Sequence, residues 1–324
     1  MNKNNSYNCF VCSADFKKIV ERKDKYTYYK CEKCALVTIF PQPEDKIISE
    51  YYDGFLFKKP EDNEISSRKK IIDKDVDLIA KDIKNIKKEN NLSLLDFGGG
   101  TGFYANSFYQ HGYKVTLLDL DKQTCKYVKS KFPEINVICT NPMLNAINKK
   151  FDIIFCNQVI EHYKDSDKLL NTLHSLLNDN GLLIITTPNQ QCREYWFRPT
   201  WVWDYIKLTS DNFLQRIKNT FKLLSDSWLC CDPPRHIYAF NKKNLSKLHK
   251  RNKLEVISVF TEYVTTQNYS LKQHRDFSFK RIQSVLKIIF NIYANLGISL
   301  LKFLDRKNNW GNNLVIFSSK EVKK

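Results

Sequence analysis

Glycine and proline are scarce in this sequence of 324 residues. The chain has 9 of each, and this scarcity excludes collagen-like and low-complexity proteins. Hydrophobic residues make up 42% of the chain, so it can bury a core and is not a disordered tail. The length fits one large domain or two smaller ones.

Acidic residues and arginine are also in short supply. The chain has 35 acidic and 52 basic residues, which gives a net charge of +17 and suggests an anionic partner such as nucleic acid, a membrane surface or a phosphorylated substrate. Of the basic residues, 42 are lysine and 10 are arginine, although arginine is preferred for bidentate contacts with phosphates and bases. A composition rich in Lys, Asn and Ile also arises from AT-rich coding sequence. Nucleic acid is therefore not the expected partner.

A long apolar run is missing as well. The first ten residues, MNKNNSYNCF, lack the apolar region of a signal peptide, so we expect a cytoplasmic chain whose ten cysteines are metal ligands or inert thiols rather than disulfides. The uncharged run 288–301 has 14 residues, too few to span a bilayer comfortably. Because basic residues surround it, segment 279–304 is interpreted either as a peripheral membrane contact or as a helix packed on the core or on a partner chain.

Two C-x-x-C pairs, separated by 18 residues, lie near the start of the chain. Each pair closes a tight turn that points two thiolates at one place, and two such turns complete a tetrahedral Zn²⁺ site. Short apolar stretches between the pairs indicate strands, so the segment is interpreted as a zinc ribbon. Four thiolates leave no open position, and the metal would be structural. The predicted ligands are Cys9, Cys12, Cys31 and Cys34.

A strand, a glycine-rich turn and a helix follow one another in the middle of the chain. An apolar strand over 92–97 leads into Gly-Gly-Gly-Thr-Gly and a helix over 103–110. The glycines allow a tight turn and a close approach of the backbone to a ligand. A second strand over 114–118 ends at Asp119, where a carboxylate can accept hydrogen bonds from ribose hydroxyls. Phe103 stands where a dinucleotide fingerprint needs glycine, and the Gly-Lys-Ser/Thr of a P-loop is missing.

From this loop onward the sequence resembles the class I S-adenosylmethionine-dependent methyltransferases. The segments that carry the resemblance are, in order, LLDFGGGTG, VTLLDLD, FDIIFCNQVIEHYKD, LLNDNGLLIITTPN and DPPRHIYAFNKKNLSKLHKRNKLEVISV. The resemblance implies an α/β fold with a seven-stranded Rossmann-like sheet, preceded here by the small zinc ribbon. The expected division is a ribbon over 1–42, a linking helical segment over 43–90 and a methyltransferase domain over 91–324, with inserts at 190–235 and 261–310.

The resemblance assigns roles to residues around the loop. Gly98, Gly100 and Gly102 would contact the methionine part of S-adenosylmethionine. Asp96 would orient the loop or bind the cofactor's amino group, and Asp119 would hold the ribose.

Two asparagines complete the expected cofactor site. Asn141 stands nearest to the position where an acid usually binds the adenine amino group, and Asn157 would lie beside the cofactor. In related ubiquinone-pathway O-methyltransferases the Glu-His stretch begins with an acid and can bind a metal ion. This chain has Gln158 there, which weakens the case for a catalytic metal. Glu161 is interpreted as a cofactor-side or structural hydrogen-bonding group.

Transfer to a hydroxyl needs a base that titrates near neutrality, and histidine is suited to this. His236 is the first candidate because it follows Pro-Pro-Arg in a rigid loop that reaches the acceptor in resembling enzymes. His162 is the second, since Gln158, Glu161 and His162 would share one helix face. The alternative is that the acceptor is only positioned. The other histidines are interpreted as surface, packing or insert residues: His111, His174, His249 and His274.

Chains with a zinc ribbon before a methyltransferase domain resemble enzymes encoded among bacterial polysaccharide and sugar-modification genes. The favoured function is therefore methylation of a hydroxyl on a sugar, glycan or other small acceptor, with nucleotide-linked and lipid-linked acceptors both open. Three tryptophans within residues 195–205 of the first insert suit stacking on a sugar or base, or packing of a lid. An RNA methyltransferase with an N-terminal zinc module and a non-enzymatic binding protein are the alternatives. The sequence leaves the oligomeric state open.

Overall fold

The computed structural model describes most of the chain. The described residues are 8–52, 62–141, 147–197, 199–226, 230–263, 293, 296–297, 299–301, 303–304 and 309–320. Within them, no helix combines the length and the apolar character needed to cross a bilayer.

The described residues form strands, α-helices and two short 3₁₀ helices. The strands are β1 (Phe16–Glu21), β2 (Thr27–Cys31), β3 (Val37–Phe40), β4 (Ser93–Phe97), β5 (Lys114–Asp119), β6 (Asn136–Cys139), β7 (Phe151–Asn157), β8 (Leu177–Pro188), β9 (Tyr238–Ala239), β10 (Leu254–Glu262) and β11 (Asn313–Lys320). The α-helices are α1 (Asp45–Tyr52), α2 (Asp62–Ile86), α3 (Phe103–Gln110), α4 (Lys122–Lys131), α5 (Ser166–Leu176), α6 (Pro199–Lys207), α7 (Phe213–Asp226) and α8 (Lys242–Arg251). The 3₁₀ helices are η1 (Ile160–His162) and η2 (Glu194–Phe197).

Seven strands form one sheet in the order β10-β11-β8-β7-β4-β5-β6. The pairs β4–β5, β4–β7, β5–β6 and β7–β8 are parallel. The central strands β4 and β7 are almost wholly buried, which explains their continuous apolar sequences. The predicted Rossmann-like seven-stranded sheet is confirmed, and parallel pairing brings the carboxyl ends of β4, β5 and β7 to one edge.

A second, smaller sheet is antiparallel and has the order β1-β2-β3-β9. The strands β1 and β2 are the two predicted in the ribbon, and β3 and β9 add to them. The pair β3–β9 joins Val37 to Ala239 and Thr38 to Tyr238. Strand β9 has two residues, too few for a period of alternation to be recognisable in sequence.

The chain divides into two compact units that differ from a division by sequence order. One contains Met1–Gln42, Pro188–Asn244 and Phe260–Leu314, and the other contains Pro43–Thr187, Leu245–Val259 and Val315–Lys324. The ribbon thus shares a unit with the first insert. The three predicted domains, 1–42, 43–90 and 91–324, stay a prediction.

Candidate functional site

The glycine-rich loop connects the end of β4 to the start of α3. Gly98, Gly100 and Gly102 have φ values of +71°, +49° and +77°, a backbone region that side chains with a Cβ rarely adopt. The amide of Gly98 donates to the carbonyl of Leu118 at 2.8 Å, and this bond ties the loop to β5. A Cβ on Gly98 would lie 2.8 Å from Cγ2 of Val159, so the site also needs glycine there for space.

Gly100 lies where the loop backbone faces open space. A Cβ placed on Gly100 would meet no atom within 4 Å. Its amide instead points inward and donates to Oδ2 of Asp119 at 3.0 Å. The loop therefore offers a ligand an uncovered stretch of backbone next to a carboxylate.

Asp119, at the end of β5, is buried and links two loops. Its Oδ2 accepts from Gly100, and its Oδ1 accepts from the amide of Asp121 at 2.9 Å. Burial raises the pKa of Asp119, while these amide hydrogen bonds act in the opposite direction. Leu120 follows with 63% of its surface exposed, so an apolar face stands beside the carboxylate.

Asp96 lies beneath the loop and is 1% exposed. Its Oδ2 has no hydrogen-bond partner among the described residues. A Cβ on Gly99 would lie 2.7 Å from this oxygen, so Gly99 permits the close approach of the loop to the acid. Burial raises the pKa of Asp96 to about 7, and the charge of Asp119 adds to the rise. A cation above the loop would satisfy the carboxylate.

These groups fit S-adenosylmethionine. The cofactor carries a cationic amino group, which suits the buried Asp96, and ribose hydroxyls, which suit the acceptor oxygens of Asp119. The uncovered backbone at Gly100 leaves room between them. The sequence prediction missed Gly99 because the motif allows any residue at that position. In the structure, Leu117 and Asp96 pack so tightly beneath it that only glycine fits.

The two asparagines lie at or just after the carboxyl ends of β7 and β6, two strands of the parallel part of the sheet. Asn157 closes β7 and accepts a hydrogen bond from the hydroxyl of Thr186. Asn141 lies two residues after Cys139, which pairs in register with Asp119. Both are partly exposed, and their contacts with a cofactor stay a prediction.

The Glu-His stretch is not the predicted helix face. Gln158 has a φ of +56°, which a right-handed helix does not allow, and only Ile160–His162 forms a single 3₁₀ turn. The prediction that residues 158, 161 and 162 share one face of a helix is therefore wrong. Val159 must turn inward to contact Gly98, and this contact explains the break.

Glu161 is fully buried, whereas the side chain of His162 is 21% exposed. The hydroxyl of Thr187 donates to Oε2 of Glu161 at 2.9 Å, and Oε1 lies 3.8 Å from Nε2 of His162. Glu161 is thus held in place from β8 and stands beside the second candidate base.

His236 belongs to the other compact unit, in the loop that precedes β9. Its Nδ1 lies 3.1 Å from the carbonyl oxygen of Cys230. A carbonyl can only accept, so Nδ1 carries the proton in the neutral ring and Nε2 keeps a lone pair. The amides of Arg235 and His236 both donate to the carbonyl of Asp232, which holds the loop in a tight turn.

The four cysteines of the two C-x-x-C pairs come together. Their Sγ atoms all lie within 4.8 Å of one another, with Cys9 3.5 Å from Cys34 and Cys12 3.3 Å from Cys31. Tetrahedral Zn²⁺ with Zn–S bonds near 2.3 Å needs S···S separations of about 3.8 Å, so the cluster fits the ion. The hydrogen bond with Cys34 lowers the pKa of Cys9 to about 5.

Hydrogen bonds connect the region around the second C-x-x-C pair to the first insert and to the segment that follows this insert. The side-chain amides of Asn241 and Asn244 both donate to the carbonyl of Cys34 at 3.3 Å, and the hydroxyl of Tyr28 donates to the carbonyl of Cys231 at 3.2 Å. These contacts join residues about two hundred positions apart, and no local pattern in the sequence indicates them.

Known proteins resemble parts of this chain. Residues 66–259, more than half of the chain, match a family described as "Methyltransferase domain". Among curated proteins, the chain is 29% identical over 126 residues to the ubiquinone biosynthesis O-methyltransferase of Pelagibacter ubique (strain HTCC1062), covering 37% of this chain and 52% of that protein. The corresponding protein of Rickettsia canadensis (strain McKiel) is 27% identical over 122 residues, covering 36% and 52%.

The chain thus spans about half the length of the curated relatives it matches. Among solved structures, it resembles the magnesium protoporphyrin IX methyltransferase of Synechocystis PCC 6803 with bound SAH. The match has 12% identity and a TM-score of 0.47, and it covers 86% of this chain and 100% of that one.

Proposed function

The chain belongs to the methyltransferase domain family, and we propose that this S-adenosylmethionine-dependent methyltransferase acts on a hydroxyl of a small-molecule acceptor. When bound, the cofactor supplies a methyl group that its positive sulfur has already made electrophilic. The task left to the protein is to hold the cofactor and the acceptor and to remove the hydroxyl proton.

Cofactor binding in this proposal uses the loop after β4. Asp96 would bind the cationic amino group through its buried Oδ2, and Asp119 would accept hydrogen bonds from the ribose hydroxyls. Gly98, Gly100 and Gly102 would keep the backbone close to the methionine part. Asn141 and Asn157 would border the adenine and the reacting end. The unsatisfied Oδ2 of Asp96 supports this assignment, because only a bound cation makes an ionised carboxylate stable at this depth.

The orientation of the His236 ring is the main support for a hydroxyl as the acceptor. The carbonyl of Cys230 holds the proton on Nδ1, so Nε2 can accept the hydroxyl proton as the new carbon–oxygen bond forms. The cofactor would supply the methyl group and would be left as S-adenosylhomocysteine. His162, oriented beside Glu161, is the second candidate for the same role.

A sugar, a glycan end or another small acceptor is the substrate class we propose, in nucleotide-linked or lipid-linked form among others. Trp196 of the first insert is partly exposed, and the guanidinium of Arg193 lies 4.9 Å from its ring. Exposed indole faces beside a cation suit a sugar that carries a phosphate. The O-methyltransferase names of the curated relatives support a small acceptor as well.

The cysteine cluster is proposed to hold one structural Zn²⁺.

The protein is proposed to be cytoplasmic, with peripheral membrane contact. Part of segment 279–304 lies outside the described residues. Its described part exposes apolar side chains on one helix face, at 293, 296, 300 and 303, where Leu296 and Phe303 are 67% and 79% exposed. This face supports the proposed membrane contact.

Incubation with methyl-labelled S-adenosylmethionine tests the function. Parallel reactions would contain nucleotide sugars, a glycolipid extract and total RNA. We expect label in the sugar or glycolipid fraction, in a product that resists mild base as a methyl ether does. Label in RNA alone would replace the proposal with the RNA methyltransferase alternative.

A further inference from the structure

Helix α7 carries an apolar stripe that faces solvent. Phe213, Leu214, Ile217 and Phe221 are 63%, 68%, 39% and 68% exposed. Their spacing of three and four residues places them along one side of the helix. The helix is anchored by other residues, since Asn219 and Leu223 are buried.

Basic side chains border this stripe. Residues 209–224 contain three bases, Arg216, Lys218 and Lys222, and one acid, Asp211, so this stretch has a net charge of +2. Lys218 and Lys222 are exposed and follow Ile217 and Phe221 directly in the sequence.

An indole lies at the beginning of the stripe. Trp203 of α6 is 39% exposed, and its ring centroid lies 6.5 Å from that of Phe213. The guanidinium of Arg216 lies 5.8 Å from the same ring. Tryptophan next to arginine is typical of side chains at the boundary between lipid headgroups and acyl chains.

The chemistry of this surface distinguishes two kinds of partner. The cores of protein–protein interfaces are depleted in lysine, whereas an interfacial membrane helix combines an apolar face with lysines on its flanks. The alternation of exposed apolar and lysine side chains on α7 matches the second pattern. Anionic lipid headgroups would satisfy the positive charge, and the acyl boundary would cover the aromatic and aliphatic side chains.

We propose that α7 binds the surface of an anionic lipid bilayer. Phe213, Leu214, Ile217 and Phe221 enter the headgroup–acyl boundary. Lys218 contacts lipid phosphates, whereas Nζ of Lys222 donates to the carbonyl oxygen of Ile19 at 3.2 Å. Trp203 lies at the headgroup level. The proposal is independent of methyl transfer, since binding can be measured without cofactor or acceptor.

Flotation of the full chain with vesicles tests this proposal. Vesicles of phosphatidylcholine with phosphatidylglycerol are expected to carry the protein upward, and vesicles of phosphatidylcholine alone are expected to carry much less. The double variant Leu214→Ser, Phe221→Ser should bind at least about tenfold more weakly. The variant Lys218→Gln should weaken the preference for anionic vesicles.

Leu78→Ser is the matched control, because Leu78 is an equally exposed leucine (60%) on α2. It should float as the unchanged protein does. Circular dichroism of each variant establishes that a loss of binding is not a loss of fold. Equal flotation of the double variant and the unchanged protein would overturn the proposal. So would a dimer in light scattering that the double variant dissociates, because a second copy of the chain would then cover the stripe.

Discussion

The backbone amide of Gly100 donates to Oδ2 of Asp119 across 3.0 Å, and so the glycine loop after β4 and the acid at the end of β5 form one structure. The carboxylate holds the loop in place, and its other oxygen accepts from the amide of Asp121. A residue that binds ribose therefore also shapes the backbone that contacts the methionine part. Substitution of Asp119 is expected to affect both ends of the cofactor.

The pKa of Asp96 leads to a dependence of cofactor affinity on pH. Burial raises this pKa to about 7, well above the ordinary value of an aspartate, so the carboxyl group is largely protonated in the free protein below neutrality. Binding of a cationic amino group requires the ionised form, and complex formation below pH 7 must release a proton. Affinity for S-adenosylhomocysteine is expected to fall by up to about tenfold for each pH unit below 7 and to change little above it.

Calorimetric titration in two buffers of different ionisation enthalpy measures how many protons are released when the cofactor product binds. Asp96→Asn should abolish both the proton release and the pH dependence. The same shift predicts that Asp96 stabilises the free protein below pH 4 and that this contribution is lost as the pH rises to 7, since the folded-state pKa lies above the unfolded one. An affinity that is flat from pH 5 to 8 would refute the contact with the amino group.

Substitution of His236 separates chemistry from cofactor binding. His236→Gln removes the basic Nε2, and turnover is expected to fall by about a hundredfold or more, with the affinity for S-adenosylhomocysteine unchanged. His162→Gln tests the second candidate in the same assay.

His111→Gln serves as the control for this series. His111 ends α3 and contacts Asp77 at 3.0 Å on an exposed surface, so its replacement should leave turnover unchanged. Turnover that persists in both His236→Gln and His162→Gln would support an acceptor that is only positioned, with no protein base.

Removal of the metal should loosen one compact unit. We expect one zinc per chain by elemental analysis and its loss in Cys12→Ser. Because Asn241 and Asn244 bond to the carbonyl of Cys34, a strong chelator should increase amide hydrogen exchange in β3 and β9.

Exchange in β4 and β7 of the other unit provides the internal reference and should not change. Cys139→Ser is the control variant, since Cys139 is exposed and lies outside the cluster. Native protein that contains no zinc, or that exchanges identically with and without chelator, would contradict the structural metal.

Local patterns in the sequence predicted β4, α3 and β5, and the resemblance to class I methyltransferases implied the whole large sheet. A few consecutive residues are enough to recognise the apolar runs of β4 and β7 and the glycines after Phe97. Their positions in the sequence agree with the structure. The break at Gln158 was missed because a helical spacing of side chains says nothing about the contact between Val159 and Gly98 that prevents the helix.

The pairing of β3 with β9 could not be predicted from the sequence either. It joins residues about two hundred positions apart and uses a strand of two residues, so neither periodicity nor composition reveals it. The oxygen of Asp96 that lacks a partner likewise appears only when the burial of its surroundings is known. His249 was interpreted as surface or packing; it is completely buried and bonded to Ser318, which is the packing role.

Calorimetric titration of the protein with S-adenosylhomocysteine tests the central claim most directly. The unchanged chain should bind one molecule, and Asp119→Ala should weaken binding by at least about a hundredfold, because it removes the ribose acceptor and the anchor of Gly100. Asp165→Ala, which removes only the cap of α5, should bind as the unchanged protein does. Equal affinity in Asp119→Ala and the unchanged chain, or no binding to either, would contradict a cofactor site at this loop.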